Sequence, residues 1–101
     1  MMKKIMTAAA IGLAAIALHS PAHATGKMTC DAPESKWGTR AALEEKLVSE
    51  GWKIRKSKVD GGCYEVYGTT PKGDRVEAYF HPVSFEKLLV SRRGKILFRK
   101  K

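Results

Sequence analysis

Histidine is nearly absent from this chain. Three occur in 101 residues, and only His81 lies beyond the first two dozen positions. A histidine-rich metal site or a serine–histidine nucleophile pair therefore has almost no material to draw on. The serines Ser35, Ser49, Ser57, Ser84 and Ser91 sit in no nucleophile-elbow glycine pattern. Cysteine is limited to Cys30 and Cys63, which excludes a CxxC redox motif, a CxxCH haem attachment and a four-cysteine zinc site. Glycine-rich phosphate loops and internal repeats are missing too. No apolar run reaches the roughly 20 residues of a bilayer span. Catalysis is the class these absences disfavour most, and no cofactor or metal is expected.

What is present begins with an N-terminus built like an export leader. Lys3 and Lys4 form a positive start, residues 5–18 are apolar, and Ala22-His23-Ala24 offers the small residues a signal peptidase accepts. Residues 1–24 are thus expected to be removed. The remaining chain of about 77 residues would work in the periplasm, and the leader lacks a lipobox cysteine. Such a small domain buries a limited core and gains from a covalent staple. In an oxidising compartment a Cys30–Cys63 disulfide is the natural reading, with a loop that stabilises by about 3–4 kcal/mol. A metal site would want more ligands than His81 supplies, and a redox pair usually sits closer in sequence.

Charge is uneven along the chain. Beyond the leader 17 bases face 10 acids, and six of those bases fall in residues 91–101 with no acid among them. Arg92, Arg93, Lys95, Arg99, Lys100 and Lys101 therefore read as a basic C-terminal extension of a nearly neutral body, residues 25–90. Export separates the chain from nucleic acid, so none is expected as a partner. An anionic membrane surface or an acidic protein patch suits the extension, and a solvated tail is the plain alternative.

Residues 39–50 read as a helix capped by Thr39, with Ala42, Leu43 and Leu47 as its apolar stripe, Val48 near the edge and Gly51 ending it. The pattern then shifts to period two. Trp52, Ile54 and Lys56 would share one face of a first strand, Asp60-Gly61-Gly62 makes a hairpin turn, and residues 63–69 form a second strand. After a turn at residues 70–74, residues 75–81 form a third strand that Pro82 ends. Residues 85–90 are expected as a fourth strand rather than a short helix. Tyr64 and Val66, with Val76, Ala78 and Phe80, would pack under the helix. The fold expected is α+β, one main helix on a three- to four-stranded antiparallel sheet.

Several of these stretches together resemble the PepSY family, the peptidase propeptide and YpeB group, in its small secreted two-cysteine form. They are Glu50-Gly51-Trp52, the strand KIRKSKV, the segment GCYEVYG, and RVEAYFH followed by Pro82. The resemblance spans residues 30–90, and its most specific pieces are Gly62–Val66 and Val76–Phe80. It implies a cystatin-like layout and a role in inhibiting or chaperoning a peptidase. For free-standing members it implies a periplasmic regulator or an accessory of a membrane b-type cytochrome. His81 stands where relatives often carry Asp, and the basic extension is longer than usual.

The second face of the sheet would present Glu65, Tyr67, Arg75, Glu77, Tyr79 and His81. Aromatics beside arginine favour binding because they bury large area with few flexible angles. Ordinary strand propensity accounts for the tyrosines equally well. Glu65 and Glu77 could pair as acid and base, but cross-strand ion pairs with Arg55, Arg75 or a lysine are the commoner arrangement. His81 could ligate a metal or a small molecule, or be a simple turn residue. The expectation is a non-catalytic, disulfide-stapled module that docks an envelope protein through this face. The candidate partners are a peptidase or, as the alternative, a membrane redox protein, with the small-ligand or metal carrier a weaker third.

Overall fold

Helix α1 spans Arg40–Ser49 and starts at Thr39, whose Oγ1 accepts the Ala42 N–H at 3.0 Å. That bond satisfies one of the donors a helix start leaves open. The computed structural model describes residues 27–101, so the expected leader, residues 1–24, lies outside the described residues. A short 3-10 turn, Glu34–Lys36, precedes the helix. Five strands follow: β1 Lys53–Asp60, β2 Cys63–Thr69, β3 Arg75–Phe80, β4 Lys87–Arg92 and β5 Lys95–Arg99. They form one antiparallel sheet in chain order, with β1 and β5 at its edges.

The helix covers one face. Leu43 and Leu47 point down onto Trp52, Tyr64, Val66, Val76, Ala78, Phe80 and Val90, the alternating positions of the strands beneath. Trp37, Ile54 and Phe85 close the sides. Burying each leucine contributes about 1.5–3 kcal/mol before entropy is counted. Polar tips on this side find partners: the Tyr64 hydroxyl donates to the Gly38 carbonyl at 2.7 Å, and Trp37 Nε1 donates to that of Ala32 at 2.9 Å. Ser57 fastens the helix to β1, donating to Glu44 and accepting Arg40 at its carbonyl.

The α+β architecture is as expected, with more strands than the three or four read from the pattern. Lys95–Arg99 adds a fifth strand, so the residues read as a C-terminal extension are built into the sheet. The fourth strand begins at Lys87, and Phe85 instead sits in a turn at φ 64°, its N–H bonded to the His81 carbonyl. Lys56 does not share a face with Trp52 and Ile54. A bulge between Ile54 and Lys56 moves it beside Tyr67, on the face away from the helix. One inserted residue reverses every later side chain of a strand.

Candidate binding surface

The face away from the helix was expected to be open. It is covered by a strap, residues 27–30, held at its end by the Cys30–Cys63 disulfide with S–S 2.06 Å. The Cys30 N–H donates to the Gly61 carbonyl at 2.8 Å, and Lys27 Nζ reaches Glu77 Oε1 at 2.9 Å. Met28 and Cys30 pack on Cys63, Tyr79 and Leu89, a second, smaller apolar cluster. The turn glycines make this approach possible. A Cβ on Gly61 would stand 2.4 Å from the Met28 carbonyl oxygen, and one on Gly62 equally close to that of Cys30. Both glycines also hold positive φ, 63° and 81°.

The strap corrects the expected docking face. Glu65 and Tyr79 are both 0 % exposed and cannot meet a partner. Tyr79 donates to Asp60 Oδ2 at 2.7 Å, a buried bond that ties β3 to the end of β1. Tyr67 and Glu77 are half-buried, Arg75 is exposed, and His81 is half-buried at the far end of β3. Nδ1 of His81 accepts the Val83 N–H at 3.1 Å, so its ring organises the turn that Pro82 opens. Glu65 and Glu77 do not stand opposite one another: the register sets Glu65 against Tyr79 and Glu77 against Tyr67. Each has its own cation, Lys58 at 3.9 Å from Glu65 and Lys27 at 2.9 Å from Glu77.

Glu65 is the least comfortable group in the fold. Among the described residues neither of its oxygens has a partner at full hydrogen-bond geometry. Burial pushes its carboxyl above the usual glutamate range, with the nearby Tyr67 hydroxyl and Lys58 ammonium pulling the other way. Tyr67 is itself raised, first by burial and then by the charge of Glu65. The ring of Tyr67 gathers cations: Lys56 Nζ lies 4.7 Å from its centroid, Lys58 Nζ 5.8 Å and the Arg55 guanidinium 5.9 Å. Lys27 is held above the ordinary lysine value by its hydrogen bond to Glu77.

An exposed surface with three adjacent apolar residues lies at β5. All five of its residues are exposed, among them Ile96, Leu97 and Phe98. Leu97 and Phe98 border a cavity of about 440 Å³ whose other walls mix the apolar Trp52, Pro71 and Val90 with the charged Glu50, Lys72, Asp74 and Lys87. Of the six C-terminal bases, Lys95 and Arg99 belong to β5, Lys100 and Lys101 follow it, and Arg92 and Arg93 precede it. Arg92 pairs with Asp74 at 3.3 Å and Lys100 with Glu86 at 3.7 Å, while Lys87 Nζ stands 4.6 Å over the Phe98 ring.

The profile of the PepSY_2 family, the peptidase propeptide and YPEB domain, matches residues 6–89. The chain belongs to this family. Domains of the PepSY family are generally peptidase propeptide or regulatory modules. No curated protein and no solved structure gives a significant match. The resemblance read from the strands and turns therefore holds, and the helix-on-sheet layout agrees with it. The match stops within β4, so β5 and its bases lie beyond the matched segment. The reading of residues 91–101 as a basic extension passed over β5 because Ile96, Leu97 and Phe98 are flanked by bases on both sides.

Proposed function

We propose that this PepSY protein is a non-catalytic regulatory module of the bacterial envelope that binds its partner by strand addition at β5. The observation that carries the reading is the exposed edge itself, an outermost strand of the sheet among the described residues, with Ile96, Leu97 and Phe98 exposed beside a groove of mixed polar and apolar lining. Such edges template pairing with another chain unless something covers them. Lys95 and Arg99 select the partner, since a second copy of the same strand would bring like charges together whereas an acidic strand is attracted. A peptidase is the partner the family favours. The leader read from residues 1–24 would bring the two together in the periplasm.

A photo-crosslinking residue at position 97 of the tagged protein, produced in cells, tests this. Capture of a peptidase, inhibition of that peptidase by the purified protein, and loss of both in Leu97→Pro are the expected results. Capture that is equally strong from position 36, an exposed residue of the 3-10 turn Glu34–Lys36, would defeat it. The basic surround of β5 also favours a second reading, an accessory of a membrane redox protein resting on anionic lipid. There Arg99→Gln with Lys100→Gln and Lys101→Gln would weaken co-sedimentation with anionic vesicles, as would added salt. Removing residues 91–101 outright is not a usable control, because it deletes β5 and the end of β4.

A further inference from the structure

On the strap side of the sheet a second cavity of about 440 Å³ opens where the β2–β3 and β4–β5 turns come together. Its walls include Arg55, Tyr67, Arg75, Ser91, Arg92 and Arg93. Of the acids nearby, Asp74 is engaged by Arg92 at 3.3 Å and Glu77, also in the wall, by Lys27 at 2.9 Å. Among the described residues no carboxylate pairs with Arg55, Arg75 or Arg93. Three arginines without a carboxylate partner thus line one groove, where Arg55 also lies 5.9 Å from the Tyr67 ring.

Two further features point to a ligand. Ser91 is 1 % exposed, and its Oγ has no hydrogen-bond partner among the described residues. Buried hydroxyls are normally paired, so an orphan in the wall of a cationic groove marks a place for an acceptor. Arg93 holds a positive φ of 52° in the β4–β5 turn, followed by Gly94 at 81°. Turns of this kind prefer Asn at that position, so an arginine there accepts backbone strain and gains a fixed positive charge at the rim.

We propose that this groove is a binding site for a phosphate ester, with Arg55, Arg75 and Arg93 holding the phosphoryl oxygens and the Ser91 hydroxyl donating from the floor. Guanidinium forks match phosphoryl oxygens in pairs. A carboxylate carries one charge and two oxygens, too few for three guanidinium groups and a hydroxyl, whereas a phosphomonoester carries nearly two charges and three free oxygens. The groove exceeds the volume of phosphate alone, leaving room for the organic part of the ester. The site is independent of the β5 edge and does not rest on the docking reading.

Calorimetric titration of the folded protein with inorganic phosphate tests it, using Arg75→Gln, Arg93→Asn and Ser91→Ala, with Lys36→Gln as the control for diffuse charge. Phosphate should saturate one site per chain, and each arginine substitution should weaken it about tenfold, the worth of a charged hydrogen bond. Arg93→Asn should weaken binding while raising Tm, because Asn relieves the turn. Ser91→Ala should likewise weaken binding without lowering Tm. Those opposed readouts separate a ligand site from a structural role. Vesicles doped with phosphatidic acid distinguish the source: binding that phosphate displaces assigns a lipid headgroup, and phosphate binding without vesicle binding assigns a soluble ester. The proposal is overturned by absence of saturation, by an equal loss in Lys36→Gln, or by succinate binding as tightly as phosphate.

Discussion

Removing the disulfide should cost this protein much of its stability while leaving its fold in place. Cys30 and Cys63 are 33 positions apart, and the chain-entropy relation for a loop of that length gives about 3.5–4 kcal/mol. A domain of this size has about 4–11 kcal/mol in all, so the loss takes from about a third to nearly all of it, and the fold stays in place for any total well above the lower bound. At about 4–8 °C per kcal/mol, Tm should fall by about 15–30 °C in the variant Cys30→Ala, Cys63→Ala. Urea unfolding followed by tryptophan fluorescence is a suitable assay, because Trp37 and Trp52 lie on the helix side, away from the bond, and report global unfolding. Reduction of the unsubstituted protein should give nearly the same loss, which separates the lost bond from the small cavity that alanine leaves at Cys63. Hydrogen exchange should show the Cys30 amide losing protection while the amides of α1 keep theirs relative to the new global stability. A loss under about 1 kcal/mol would refute the reasoning, since the strap would then be held by its other contacts and the bond would constrain little.

Glu65→Gln should stabilise the protein at neutral pH and flatten its pH dependence. The folded state keeps the Glu65 proton to higher pH than the unfolded chain does, so stability falls as pH rises from the ordinary glutamate range through the folded pKa and is level above it. Melts between acid and neutral pH check this, and an unchanged slope in the variant would count against it. Thr39→Ala should cost about 1 kcal/mol by removing the acceptor for the Ala42 N–H, readable as a lowered urea midpoint with unchanged m. Leu43→Ala should cost about 2–5 kcal/mol, as Leu43 is wholly buried between the helix and the sheet, and an effect below 1 kcal/mol would contradict that packing.

How much was legible depended on the range of the interaction. Thr39 starts the helix and Gly51 ends it through bonds made within a turn or so of chain, and the reading from residue types was correct there. Alternation placed Val66, Ala78 and Phe80 under the helix because pleating is a property of each strand alone. The β1 bulge broke the same rule for Lys56, as nothing around Arg55 announces an extra residue. The pairing of the two cysteines was readable from their number, but the path of the strap between them was not. Gly61-Gly62 signalled a turn, and their second role, admitting the carbonyls of Met28 and Cys30, shows only when the strap is in place.

The chain's own residues determined its family, its helix, the faces of its central strands and its disulfide partners, all matters of local preference or of there being one possible pair. Tertiary structure alone decided which face is covered. Alternation groups Glu65, Tyr67, Glu77 and Tyr79 on one side of the sheet without saying whether water or another part of the chain lies over them. The strap settles that by burying Glu65 and Tyr79, which moves the open surface to the β5 edge and the arginine groove. Burial is set by contacts distant in sequence, and no window of neighbouring residues contains them.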